Sequence, residues 1–148
     1  KQCNIVYLTD RPIYIRRVTY KWLDDHGFPV GPVICTPNLR TSEEALQFKQ
    51  GIIDKLKKLY SNALIGFGNE EHDADAYIRN GMLAIMIADG RHGPFRPDAF
   101  YLRTWSRIGQ FFDENNDLLR DPSRLRALMS DGRLPFKAPE GQPTPRDH

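Results

Sequence analysis

The chain has 148 residues, of which 40% are hydrophobic and 27% are charged, as in an ordinary globular protein of one-domain length. The formal net charge of +2 is too small, and the basic residues are too dispersed, to indicate nucleic-acid binding. No apolar run approaches the roughly 18 residues that a membrane span needs, and nothing resembles a secretory leader.

The first third of the chain predicts two strands separated by a helix. Residues 4–8 are β-branched and apolar, and they predict a buried strand that ends in a turn at residues 9–12. A helix follows to about Asp25, and Gly27 ends it. Its apolar face is predicted from four residues at helical spacing, Ile15, Val18, Trp22 and Leu23. Residues 32–36 predict a second short strand.

The next third repeats the alternation of strand and helix. Thr41 and Glu44 have the spacing of a capping box and open a helix that stops near residue 60. After it we expect a strand, a short helix and a strand at residues 63–67, 73–80 and 83–88. This order predicts the α/β class, with a parallel sheet flanked by helices.

Beyond residue 90 the pattern becomes looser. We expect a loop at residues 93–97 and helices at residues 104–112 and about 121–129. The first of these helices carries an apolar stripe that suits core packing or a subunit contact, formed by Trp105, Ile108, Phe111 and Phe112. The predicted organisation is a core, a helical and loop extension and a disordered tail, at residues 1–90, 91–136 and 137–148.

Polar residues follow the predicted strands where a ligand would bind. In open α/β sheets, ligands bind at the carboxyl ends of the strands. Six candidates lie at these ends or on the intervening helix: Thr9, Asp10, Arg11, Lys49, Asn69 and Asp73. A hydroxyl and an ammonium group suit phosphoryl oxygens, and hard oxygen ligands suit Mg²⁺.

The order of these groups resembles motifs two, three and four of the haloacid dehalogenase-like (HAD) superfamily, and in detail its lipin/LNS2 branch. Four segments of this sequence carry the resemblance: Thr9-Asp10-Arg11-Pro12, Phe48-Lys49, Gly66-Phe67-Gly68-Asn69 with Asp73, Tyr77 and Gly81, and Phe28-Pro29-Val30-Gly31-Pro32. The resemblance implies a Rossmann-like fold of three layers.

The resemblance also implies roles for the candidates. Thr9 would hydrogen-bond the phosphoryl group, with Asp10 and Arg11 as further substrate-binding residues. Thr9 and Lys49 would be the catalytic residues, with Lys49 offsetting the charge of the phosphoryl group and of the nucleophilic carboxylate. Asn69 and Asp73 would bind Mg²⁺. The implied ligand is a phosphorylated small molecule or a lipid headgroup.

One part of the HAD pattern is missing from these 148 residues. Phosphatases of this superfamily attack with the first Asp of a strand-Asp-x-Asp-x-Thr motif, on the central strand of the sheet. The sequence contains one Asp-x-Asp, at Asp73-Ala74-Asp75, in the position of motif four. We therefore expect an upstream segment in the native protein.

Two hypotheses remain open. The first is a Mg²⁺-dependent phosphomonoester hydrolase whose nucleophile lies upstream, and the second is an inactive HAD-like module that binds phosphate or serves as a structural subunit. The candidate residues have simpler readings too: Thr9 as a turn former, Lys49 as a solvated lysine, and Asn69 and Asp73 as strand-ending or capping residues. Two cysteines without Cys-x-x-Cys spacing favour a reducing compartment, so we expect a cytoplasmic protein.

Overall fold

The computed structural model describes residues 4–37, 41–87 and 98–131, and every structural statement refers to these ranges. The chain divides into two compact units, Lys1–Lys49 and Gln50–His148.

The first unit contains a two-stranded parallel sheet. Strand β1 (Tyr7–Pro12) pairs with β2 (Val33–Thr36), with Thr9 opposite Cys35. The pairing becomes irregular between Thr9 and Pro12. The predicted strand at residues 4–8 is thus observed three residues later, because pairing with β2, and not apolar character, fixes its start.

A 3-10 turn (Ile13–Ile15) and helix α1 (Arg16–Asp25) connect the two strands. Gly27 has a φ of 69° after the helix, which is the left-handed conformation that the predicted C-terminal glycine supplies. The predicted apolar face is wrong at two of its four positions, because Val18 is 62% exposed and Trp22 is 42% exposed. Thr19, the residue after Val18, is buried instead. The buried face of the helix is therefore rotated by about 100°, one residue's turn, from the position of Val18.

Helix α2 (Ser42–Leu59) begins in the first unit and ends in the second. The predicted capping box is confirmed: the Glu44 backbone N–H donates to Thr41 Oγ1 at 3.3 Å, and the Thr41 N–H donates to Glu44 Oε2 at 3.1 Å. One buried row of the helix consists of residues four apart, Ala45, Lys49 and Ile53.

The second unit contains a three-stranded parallel sheet in the order β3–β4–β5. Its strands are β3 (Ile65–Gly68), β4 (Leu83–Ile87) and β5 (Phe100–Leu102), with helix α3 (Glu71–Arg79) between the first two. Three helices follow: α4 (Trp105–Glu114), α5 (Asn116–Leu119) and α6 (Pro122–Ser130). Strand β5 and helix α5 were not predicted, since each is too short to produce a periodic pattern.

Alternate residues of β4 face two separate apolar clusters. Leu83 and Ile85 belong to the larger cluster, which includes Ile108 and Phe111 of α4 and also residues of α5 and α6. Ala84 and Met86 belong to the smaller cluster, which includes α3. This period of two is what a strand with both faces covered requires. Residues 98–131, which the sequence assigned to an extension outside the core, therefore pack in the same core as β3 and β4.

The predicted α/β class with parallel sheets and flanking helices is confirmed. The HAD strand order, the missing central strand and the domain boundaries stay predictions. The predicted loop at residues 93–97 and the tail from residue 137 lie outside the described residues. Within the described ranges, no helix is both long enough and apolar enough to cross a membrane.

Candidate functional site

The turn after Thr9 lies at the irregular end of β1. The Arg11 backbone N–H donates to Thr9 Oγ1 at 3.2 Å, so the threonine side chain closes a local turn. That bond uses the oxygen of Thr9 as an acceptor and leaves its O–H proton for another partner. The Arg11 side chain is exposed. Thr9 is thus a turn former, as one reading expected, without losing the capacity to donate to a ligand.

Lys49 places a positive charge beside this turn. Its Nζ lies 2.9 Å from Asp10 Oδ2, and its side chain is 8% exposed, whereas that of Asp10 is 41% exposed. Lys49 shares the buried row of α2 with Ala45 and Ile53. The reading of Lys49 as a solvated lysine is wrong. Lysine is almost never fully buried unless it is paired, so its neighbour Asp10 is a necessary part of the arrangement.

The first unit therefore brings four predicted residues together in one region. Thr9, Asp10 and Arg11 are consecutive, and the ion pair joins Asp10 to Lys49. A hydroxyl donor, a guanidinium and a buried ammonium are groups that hold an anionic oxygen.

In the second unit, Asp73 caps helix α3. Asp73 Oδ2 accepts the backbone N–H groups of Asn69 and Glu70, at 3.2 Å and 3.3 Å. Glu70 is the N-cap residue and forms a capping box with Asp73. The carboxylate is buried, and its other oxygen lies 3.6 Å from His72 Nε2. The capping reading of Asp73 is thus confirmed.

The β3–α3 turn is tightly packed around two glycines. A Cβ atom added to Gly66 would overlap the ring of Tyr77, and one added to Gly68 would overlap the Asp73 side chain. The Tyr77 hydroxyl also donates to the Phe67 carbonyl oxygen at 2.8 Å. These contacts explain locally why Gly66, Gly68, Asp73 and Tyr77 occur at this spacing.

The oxygen ligands expected for Mg²⁺ fit only in part. In the ranges that the structure describes, no group of three or more His, Cys, Asp or Glu side chains could hold a metal ion. Asn69 donates its side-chain N–H to Glu70 Oε1 at 2.9 Å, which leaves its amide oxygen for another partner. With Asp73 it offers two hard oxygen ligands, a number compatible with an ion that keeps several waters and binds phosphate oxygens.

Two titratable groups outside these clusters have shifted pKa values. Burial lowers the pKa of Lys57, and the nearby charge of Arg126 lowers it further. Both side chains donate to the turn after α2: Lys57 to the Ala63 carbonyl oxygen at 3.1 Å, and Arg126 to that of Ser61 at 2.7 Å. Burial also raises the pKa of Tyr7, whose hydroxyl donates to the Pro29 carbonyl oxygen at 2.7 Å.

The aromatic stripe of α4 divides between core and surface. Ile108 and Phe111 are buried in the larger cluster, so the predicted subunit contact is wrong for these two residues. Phe112 packs against that cluster, and Trp105 is 54% exposed. Phe67 lies near both aromatic rings, with centroid distances of 5.8 Å to Phe112 and 6.3 Å to Trp105.

Residues 1–87 match the family model for the LNS2 domain of PITM 1-3. The chain belongs to the LNS2 domain family. This assignment confirms the resemblance to the lipin/LNS2 branch of the HAD superfamily, and it describes the chain as a HAD-like, phosphatase-type module. A comparison with curated proteins found no match.

Sequence reasoning missed the role of Glu70. Asp, Asn, Ser and Thr are the usual N-cap residues, so a glutamate at that position carried no capping signal. The spacing of Glu70 and Asp73, three residues apart before the apolar stretch of α3, was the signal that could have revealed the capping box.

Proposed function

We propose that this LNS2 domain binds the phosphate group of a phosphomonoester at the carboxyl end of β1. The observation that carries the proposal is the buried ammonium of Lys49, 2.9 Å from the carboxylate of the residue that follows Thr9. A buried ion pair is weak evidence for a stabilising role, because desolvation of the two charges offsets their attraction. Contact with a bound anion would instead explain why a lysine is buried at this position.

Each group has a defined part in the proposed complex. The Thr9 hydroxyl donates its proton to one phosphoryl oxygen, and the Lys49 ammonium offsets the negative charge. The Arg11 guanidinium, which is exposed and planar, takes two oxygens from the outer side. The ligand is thus a phosphorylated small molecule or a lipid headgroup.

We also propose that Asn69 and Asp73, within the second unit, bind Mg²⁺. The amide oxygen of Asn69 and the second carboxylate oxygen of Asp73 would be its protein ligands, with waters completing the coordination. The capping bonds of Asp73 fix the orientation of its carboxylate.

Hydrolysis is the second candidate function, and it requires a nucleophile that these residues do not offer. The carboxylate of Asp73 is buried and accepts two backbone N–H groups, which makes it unsuitable for attack on phosphorus. Catalysis would need an Asp-x-Asp segment outside the given sequence. We therefore expect that the 148-residue chain, with Mg²⁺, releases no phosphate from p-nitrophenyl phosphate above the buffer rate.

Calorimetric titration of the 148-residue chain with inorganic phosphate, with and without Mg²⁺, tests the binding proposal. Changing Lys49→Met should weaken phosphate binding by at least about tenfold, since a charge-assisted contact is lost. Lys21→Met is the matched control, because Lys21 also forms an ion pair in the first unit, with Asp25 at 2.7 Å, but its side chain is 75% exposed. Equal affinities of the two variants would contradict the proposal.

The hydroxyl of Thr9 is tested separately. Thr9→Val should weaken phosphate binding several-fold, by the roughly 1 kcal/mol that one hydrogen bond contributes, whereas Thr9→Ser should preserve it. Thr104→Val is the control, because the Thr104 side chain also accepts one backbone N–H, from Arg107 at 3.3 Å. An effect of Thr104→Val as large as that of Thr9→Val would show that only stability had changed.

A further inference from the structure

The charge of Asp10 opposes the ligand proposed for its neighbours. Its carboxylate oxygen Oδ2 lies 2.9 Å from Lys49 Nζ, and this ammonium group is the one that would contact the phosphate. A phosphate dianion at the same ammonium would meet a like charge within a few ångströms, and such juxtaposition weakens association. The role of substrate ligand that the sequence suggested for Asp10 therefore conflicts with its charge.

The two partners of this ion pair differ in their access to water. The Lys49 side chain is 8% exposed, so its ammonium needs an anion nearby whether or not a ligand is bound. The Asp10 side chain is 41% exposed and belongs to the irregular end of β1. Its Oδ1 is buried in the ion-paired arrangement, so displacement by another anion beside Lys49 would expose this oxygen to water.

We infer that Asp10 is a resident counter-ion of Lys49 that an incoming phosphate displaces, so that Asp10 lowers the affinity of the site and disfavours doubly charged anions. This inference rests on the proposed function, since it concerns the same site. Asp10 acts through Lys49 and is a specificity-determining residue, not a phosphate ligand. A dianion gains more than a monoanion when the competing carboxylate is removed, because the repulsion grows with ligand charge.

The test compares inorganic phosphate, as a dianion at pH 8, with dimethyl phosphate, as a monoanion, by calorimetric titration of the 148-residue chain. Asp10→Asn should bind phosphate about tenfold more tightly than the unaltered chain, with a smaller gain for dimethyl phosphate. Asp10→Glu, which keeps the charge, should not gain. Asp25→Asn makes the same change in net charge at the exposed Lys21 pair, and its affinity should stay within about twofold.

The outcomes separate this inference from the proposed function. The unaltered chain could bind phosphate through Lys49 while Asp10→Asn binds it no more tightly. Asp10 would then only position Lys49, and the inference would be overturned while the proposed phosphate binding stands. If neither protein binds phosphate, both fail together.

A measurement on the unaltered chain covers the case in which the Asp10 variants do not fold. The ¹³C carboxylate signal of Asp10 should shift when phosphate is added, whereas that of Asp25 should not. An unmoved Asp10 signal at saturating phosphate would overturn the displacement.

Discussion

The two units of the chain use their polar residues differently. In the second unit, the Asp73 carboxylate caps a helix, and two apolar clusters cover both faces of the sheet. In the first unit, a lysine is buried beside a carboxylate at a strand end, and apolar residues of α1 are exposed. The Asp73 carboxylate completes a helix, whereas the Lys49–Asp10 pair leaves a buried positive charge at the end of a strand, where ligands bind in α/β sheets. The first unit is therefore the part of the chain in which we propose phosphate binding.

The largest expected difference between the units concerns isoleucine packing. Ile108→Ala should lower the free energy of unfolding by about 2–5 kcal/mol, because Ile108 is buried in the larger cluster. Ile13→Ala is the matched change in the first unit, where the side chain is 51% exposed, and it should stay within about 0.5 kcal/mol. Chemical denaturation measures both. Similar losses of unfolding free energy in the two variants would mean that Ile13 is covered in solution, and would contradict the difference in packing between the two units.

A smaller effect is expected at the turn between β3 and α3. Gly66→Ala should cost about 1–3 kcal/mol, since the new methyl group overlaps the Tyr77 ring. Gly109→Ala meets no atom within 4 Å in the interior of α4, and it should stabilise the chain by about 0.5–1 kcal/mol. Melting temperatures would show shifts of opposite sign. A neutral Gly66→Ala variant would contradict the close packing of this turn.

The smallest of the three effects separates capping from metal binding at Asp73. Asp73→Ala should lower the free energy of unfolding by about 0.5–2 kcal/mol in the presence of EDTA, because two backbone N–H groups lose their acceptor. Asp25→Ala removes an exposed pair within one helix and should cost at most about 0.5 kcal/mol. If Asp73→Ala loses stability only relative to the Mg²⁺-loaded chain, its structural role lies in metal binding and not in the cap.

The alternation of strand and helix was predictable because it depends on local periodicity. The capping box of Thr41 and Glu44 and the glycine after α1 were also local signals, and both are confirmed. The start of β1 and the exposure of Val18 were not predictable, since strand pairing and helix rotation depend on partners distant in sequence. Strand β5 has three residues, fewer than any periodic pattern needs.

The candidate site was predictable as a set of residues but not as an arrangement. The sequence placed Thr9 and Asp10 at the end of a strand and Lys49 on an intervening helix, and nothing in it indicated which carboxylate would lie beside the lysine. The spacing of Ala45, Lys49 and Ile53, four residues apart, was a signal that the lysine occupies the buried row of α2. Burial of the ammonium predicts a counter-charge beside it, but the structure was needed to identify that counter-charge as Asp10.

Every proposal for the first unit depends on phosphate binding at the end of β1 beside Lys49. The most direct test is an NMR titration of the ¹⁵N-labelled 148-residue chain with inorganic phosphate. Phosphate should cause saturable shifts that are largest at the backbone amides of residues 9–11 and at Lys49, and that disappear in Lys49→Met. Shifts absent from these positions, or unchanged in Lys49→Met, would contradict it.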